Sequence, residues 1–181
     1  MREALNGVLT SWIGSAFRHI NASRGDDILD FRFAGLYGKN RWNRPGQSTL
    51  YLAGDVGVAI AEWGRQFPAS YPDAAATPNT RLMFRLRLRL DRVLDLRNER
   101  VAALLNVFAV PEFYQDVEQA RLVATRVRTT TSAQAMLVPS IAFPDDLTRW
   151  NLVVFLDKMP TDTSSWITRV ERLGPLAWNP D

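Results

Sequence analysis

The apolar residues between Ala4 and Ile20 fall at steps of three and four: Leu5, Val8, Leu9, Trp12, Ile13, Ala16, Phe17 and Ile20. That is the period of a helix with one face on a core, and it predicts an amphipathic helix over this stretch. From Asn21 to Gly46 no period is sustained, glycines recur and charges are scattered, which predicts loop with one short strand around Leu29–Phe33. A long polar loop punctuated by glycine is a natural place for a binding site. Thr49–Ala53 reads as a short strand. Asp55 then stands where an N-cap belongs, ahead of a helix to about Phe67 whose apolar stripe is Val56, Ile60, Trp63 and Phe67.

Prolines and a run of alanines make Pro68 through Thr80 an irregular connection. The clearest strand follows. Leu82, Phe84, Leu86, Leu88 and Leu90 alternate with Arg81, Met83, Arg85, Arg87 and Arg89, so one face is apolar and the other basic, a face that is ordinarily solvated but could attract phosphate or an acidic segment of a partner. Repeated like charge on that second face discourages unwanted edge pairing. Val93–Leu96 extends or follows the strand, and Asn98 is placed to cap a helix through Val107. A further helix is expected from Glu112 to Arg126. Strands are expected at Gln134–Val138, ended by Pro139, at Leu152–Leu156 and at Trp166–Val170. No repeat, low-complexity tract or linker divides the chain, so one domain over residues 1–181 is expected.

Composition narrows the chemistry. At 181 residues and 46% hydrophobic, the chain builds a core without help from a metal or a disulfide. It has no cysteine, which excludes disulfides, thiolate nucleophiles and cysteine-based zinc or iron–sulfur sites. The single histidine, His19, excludes a multi-histidine metal site and leaves a Ser-His-Asp triad one candidate base. Lys and Arg number 22 against 19 Asp and Glu, without the compact blocks of a nucleic-acid tail. A basic binding module is therefore the least supported class of function, and no nucleic acid is expected as a direct partner. No apolar window approaches a membrane span and the first turns lack the order of a secretory signal, so the expected compartment is the cytoplasm.

The run Arg41-Trp42-Asn43-Arg44-Pro45-Gly46, then Leu50-Tyr51-Leu52-Ala53, then Ala59 and Glu62, resembles the signature block of the RES-domain family. That block is an Arg-Trp-Asn-x-Pro-Gly run, a strand carrying tyrosine and a helix carrying glutamate. Met136-Leu137-Val138-Pro139-Ser140 is similar to the family's apolar-Val-Pro-Ser segment with its functional serine. Phe17-Arg18, Val93-Leu94-Asp95-Leu96 and Trp150-Asn151 match further pieces in the same order. Two departures stand out: Gly38-Lys39-Asn40 occupies the place of a frequent glycine pair, and the Asn-Pro-x-His that commonly follows the C-terminal asparagine is absent after Asn151.

The resemblance implies an α+β fold of ADP-ribosyltransferase type, a single domain with a mixed β-sheet core and flanking helices around an NAD⁺ cleft. It implies cleavage of the nicotinamide–ribose bond by phosphorolysis or hydrolysis, with NAD⁺ as substrate, no prosthetic group, and inorganic phosphate as co-substrate in the first case. It further implies the toxin of a toxin–antitoxin pair, whose cognate antitoxin, a DNA-binding protein, covers the cleft. Transfer of ADP-ribose to a protein target is the alternative within the same chemistry.

Breaking that bond releases a neutral heterocycle while positive charge develops on the ribose, so the reaction asks for a carboxylate near the sugar. Glu62 is the carboxylate the resemblance supplies. By helical period alone it lies roughly 130° from the centre of the Val56–Phe67 stripe, where a glutamate is ordinarily solvated. The pyrophosphate asks for arginines in fixed geometry, which the resemblance assigns to Arg41 in the loop, with Arg18 as a second. Tyr51 is placed to stack on nicotinamide or donate a hydrogen bond; a tyrosine in a short strand is otherwise core. Ser140, after Pro139, suits a phosphate, a ribose hydroxyl or a carboxamide, or is an ordinary turn serine. No base is visibly paired with it, so it is not read as a nucleophile. The catalytic set is thus Arg41, Tyr51, Glu62 and Ser140. Arg18, Trp42, Asn43 and Asn151 complete the NAD⁺-binding set, Trp42 and Asn43 chiefly by shaping the loop.

Overall fold

The alternating segment forms the longest strand, β3 (Thr80–Asp95), and the molecule is arranged about it. The computed structural model describes residues 2–22, 27–35, 40–70, 80–108 and 110–177. The remaining strands are β1 (Thr10–Asn21), β2 (Thr49–Ala53), β4 (Ala135–Pro139), β5 (Trp150–Phe155) and β6 (Ile167–Ala177). They form one mixed sheet in the order β1-β2-β5-β4-β3-β6, in which only β3 and β4 run parallel. β1 pairs β3 as well, from Thr10↔Val93 to Asn21↔Arg81, so the pairings form a closed circuit. The circuit's narrowest link is β1 to β2, joined at the single register pair Phe17↔Ala53.

Alternation along each strand divides the core between the two sides of this circuit. Ala16, Leu50, Leu52, Leu82 through Leu90 at even positions, Leu137, Leu152 and Val154 pack together inside it. On the outer side, α1 (Arg2–Gly7), α3 (Glu99–Ala103), α4 (Val110–Phe113) and α5 (Val117–Thr130) cover β2, β4 and β5. Leu5, Ala102, Tyr114, Ala120, Val123 and Val127 meet Met136, Val138, Val153 and Phe155 there. α2 (Val56–Ser70) covers a second outer patch, where Val58 and Ala59 pack on Ala53 and Met83. No helix among the described residues is long and apolar enough to cross a membrane.

Several expectations are corrected. The helix expected over Ala4–Ile20 is the short α1 followed by β1. β1 carries apolar residues on both faces, Trp12, Ala16 and Ile20 toward the interior cluster and Phe17 toward the α2 patch, and the two sets interleave into a helix-like spacing. The strand expected at Leu29–Phe33 is a pair of turns, because Asp27 and Asp30 accept from the backbone N–H of Leu29 (2.9 Å) and Arg32 (3.1 Å). The helix expected from Glu112 to Arg126 is split: Asp116 caps α5 by accepting from the N–H groups of Glu118 and Gln119. The helix capped by Asn98 ends early, closed by Asn106 at φ 60. α2 extends to Ser70, into the connection expected to be irregular, while residues 71–79 and the Gly38-Lys39 departure lie outside the described residues.

The buried face of α2 is also displaced from the expected stripe. Asp55 does cap the helix, accepting from the Val58 N–H at 2.9 Å. Ile60, however, is 36% exposed, and Val58, Ala59 and Trp63 are the residues on the sheet. On a helical wheel Glu62 lies within about 40° of the centre of that face. The two small residues let α2 approach closely, which turns Glu62 inward. Gly54 tightens the same corner, since a Cβ there would stand 2.7 Å from the Trp150 ring.

Candidate active site

β1 and β2 touch at one residue pair and then part, and a cavity of about 380 Å³ opens there on the outer side of the sheet. That is at the small end of ordinary ligand pockets, about 300–1,000 Å³. Glu62, Trp63 and Arg65 of α2 form one wall, and Asn40, Arg41 and Trp42 of the loop before β2, with Val117 of α5, form the other. Tyr51, Ala53, His19 and Asn151 contribute to its floor.

Two residues distant in sequence converge on the Glu62 carboxylate. Ser140 Oγ donates to Glu62 Oε1 at 2.6 Å, and Asn151 Nδ2 donates to the same oxygen at 2.9 Å. Their placement follows from register: Asn151 pairs with Val138 of β4 and Ala53 of β2, and Ser140 follows directly on the end of β4. Ser140 is fully buried, its N–H bonded to the Arg149 carbonyl at 2.8 Å, so its hydroxyl is a fixed donor. With both donors on Oε1, Oε2 faces Arg65, whose Nε is 3.8 Å away.

The opposite wall is fastened from several directions. The Tyr51 hydroxyl donates to Asn43 Oδ1 at 2.7 Å and accepts from the Trp42 N–H at 3.0 Å. Asn43 is fully buried and its Nδ2 donates to the Gly35 and Arg44 carbonyls. Trp42 is buried with its ring centroid 4.7 Å from that of Tyr114. Arg41 donates through Nη1 to the carbonyls of Tyr114 and Gln115, and Arg121 donates to the Asn40 carbonyl. Gly35, at φ 82, closes against the same loop: a Cβ there would lie 2.1 Å from the Gln47 carbonyl oxygen.

The sequence model of the RES domain matches residues 11–178. The chain belongs to the RES-domain family. Its mixed sheet core with flanking helices is ADP-ribosyltransferase-like, as the sequence led one to expect. The same fold occurs in a chain of the crystal structure of the M. tuberculosis MbcT–MbcA toxin–antitoxin complex, with a TM-score of 0.66 at 17% identity, covering 99% of this chain and 90% of that one. No curated protein matches the sequence.

In this RES domain the cavity lining brings together Arg18, Arg41, Trp42, Tyr51, Glu62 and Asn151; Ser140 joins them through Glu62, while Asn43 lies behind the loop as a support. Arg18 is tied to the Ile28 carbonyl at 2.7 Å, and burial lowers its pKa to about 10, against the pull of Asp30. Arg41 is lowered too, first by burial and then by the charge of Arg65. Both remain cations at neutral pH. Burial raises the Tyr51 phenol well above its ordinary value, so it stays protonated and able to donate.

Sequence reasoning missed three members of the lining. Arg65 and Arg81 bring its arginines to four, with Glu62 the only carboxylate among the described residues that line it. Arg81 had been placed on a solvated strand face, which holds for Arg85, Arg87 and Arg89 but not at this end, where α2 covers Met83. Its guanidinium lies 5.4 Å from the centroid of the Trp63 ring. His19 is the third. Burial, then the charges of Arg81 and Arg18, push its pKa down to about 4, and its Nδ1 has no hydrogen-bond partner among the described residues. A signal for Arg65 did exist: it stands three residues after Glu62, on the same side of the helix.

Proposed function

We propose that this RES domain is an NAD⁺-consuming toxin that cleaves the nicotinamide–ribose bond. The observation that carries the reading is the Glu62 carboxylate, oriented by Ser140 and Asn151 in a cavity whose other charged lining residues are the four arginines. The arginines Arg18, Arg41, Arg65 and Arg81 suit the pyrophosphate of NAD⁺, and Glu62 suits the positive charge that develops on the ribose as the bond opens. The electron pair of the C1′–N bond leaves with nicotinamide, which departs neutral, and an acceptor oxygen bonds to C1′. Phosphate as acceptor yields ADP-ribose 1″-phosphate; water yields ADP-ribose and a proton. The arginine excess favours phosphate, a second anion that would share the cavity with the dinucleotide.

The reading extends to biology. The fold neighbour is a toxin–antitoxin complex, and for this chain we propose a cytoplasmic toxin held inactive by a cognate, DNA-binding antitoxin that covers the cavity. The deciding experiment incubates the purified protein with NAD⁺, with and without inorganic phosphate, and separates nicotinamide and ADP-ribose products by chromatography. Release that depends on phosphate identifies phosphorolysis, and release in both conditions identifies hydrolysis. Glu62→Gln is expected to lower the rate about a hundredfold or more. Full turnover by that variant overturns the mechanism.

A further inference from the structure

The odd-numbered face of β3 does not end at the cavity. Direct cross-strand partners share a face of a sheet, so Phe17 with Arg85, Ser15 with Arg87 and Ile13 with Arg89 continue outward from the cavity floor along β1 and β3. On the other edge of β3, Arg169 stands directly opposite Arg87, and Glu171 opposite Arg85. Ser15, Arg87 and Arg169 thus form a row across three strands, beside a hollow of about 120 Å³ that Arg85 and Glu171 complete. Arg85 is occupied, 3.2 Å from Glu171 and stacked over Phe17. Arg87, Arg89 and Arg169 are exposed and have no acidic partner among the described residues.

Like charges placed directly opposite in a sheet repel, and a solvated surface ordinarily intersperses both signs. Here two unpaired arginines face each other across a strand pair, and a third follows at the next position on the same face, about 7 Å along β3. That spacing matches alternate side chains of an extended chain. At the far end of the strip stands Ile13, 63% exposed beside Arg89. An apolar anchor at the end of a basic track suits a peptide with acidic and apolar side chains better than a polynucleotide, which would ask for aromatic stacking platforms along the track. We infer that this face docks an acidic, extended segment of a partner protein. The segment lies across Arg87, Arg169 and Arg89 and reaches toward the cavity past Phe17. The inference stands apart from the NAD⁺ chemistry and takes from the reading above only the kind of partner that would carry the segment.

The test titrates the purified protein, at low and at physiological salt, with a labelled peptide of alternating glutamate and threonine ended by leucine. A labelled single-stranded oligothymidylate of equal length is titrated beside it. The wild type is expected to bind the peptide, more weakly as salt rises, and Arg87→Gln/Arg169→Gln to bind it about tenfold more weakly. Arg100→Gln, a like change on α3, is expected to bind as the wild type does. Melting curves establish that each variant is folded, and Arg89→Gln alone provides a second reading if the double variant is not. Equal peptide affinity for the wild type and the β3–β6 variants, absence of peptide binding at low salt, or tighter binding of the oligothymidylate overturns the inference. Nicotinamide release from NAD⁺ is read on the same samples and is expected to be unchanged by these substitutions. If no protein releases it, the proposed reaction falls while the peptide comparison still decides this one.

Discussion

The hydroxyl of Tyr51 sits between an N–H and an amide oxygen, those of Trp42 and Asn43, and this makes the tyrosine a support for the arginine loop before it is anything else. Removing the hydroxyl leaves two buried polar groups unsatisfied. Tyr51→Phe is therefore expected to cost about 1–2 kcal/mol in urea unfolding and to raise the KM for NAD⁺ as Arg41 loses its fixed position. A tyrosine that served only as packing would show neither effect. His19 makes a second prediction. Its folded pKa is depressed to about 4, so below the unfolded value near 6.5 the unfolded chain takes up a proton that the folded protein refuses. The stability conferred by a neutral His19 is present above pH 6.5 and lost as the pH falls toward 4, up to about 3 kcal/mol in all. Denaturation between pH 7 and 4 should show this slope in the wild type and a shallower one in His19→Gln. At this scale the resemblance located Glu62, Ser140 and Asn151. It did not locate Arg65, Arg81 or His19, because what draws them in is the packing of α2 across β1 and β3, which no local pattern encodes.

Elements were legible where one period dominated. β3 was evident because its leucines and arginines alternate without interruption from Arg85 to Leu90, and Asp55 announced α2 by its capping chemistry. β1 was hidden because both of its faces meet apolar neighbours. The buried side of α2 was misplaced because Val58 and Ala59, small and therefore weak in any hydrophobic pattern, are the residues that touch the sheet. Beside the apolar packing of α5 on the sheet there is a polar tie that was silent in the sequence for another reason: it runs through one arginine. Arg128, 7% exposed, donates to Asp157, to the Ser48 carbonyl and to Thr49 Oγ1, and lies 4.7 Å from the centroid of the Phe155 ring. Arg128→Met keeps much of the volume and loses every bond. It is expected to lower stability by about 2–3 kcal/mol, since Asp157 is half exposed and retains water, while Ser48 and Thr49 lose a buried donor. Urea midpoints of the two proteins check this, and a midpoint unchanged within error would make the tie decorative.

At the scale of the whole molecule the cavity is framed by walls bonded to the core. A ligand that fits it should therefore stabilise the fold. Glu62→Gln, which should bind NAD⁺ without consuming it, is expected to gain about 3 kcal/mol at a hundredfold excess over Kd, seen as roughly 5–10 °C in Tm. No shift with NAD⁺, but one with another nucleotide, would redirect the substrate assignment. The closed circuit of strands adds a consequence in time. Glu62 depends on Ser140 and Asn151, 78 and 89 residues further along the chain. During synthesis the carboxylate emerges early, with neither donor to orient it, and the parting of β1 from β2 has no shape until β5 arrives to hold β2 in register. Under the proposed reaction, a nascent chain is expected to gain activity only once translation has passed Asn151 and both donors can reach Glu62.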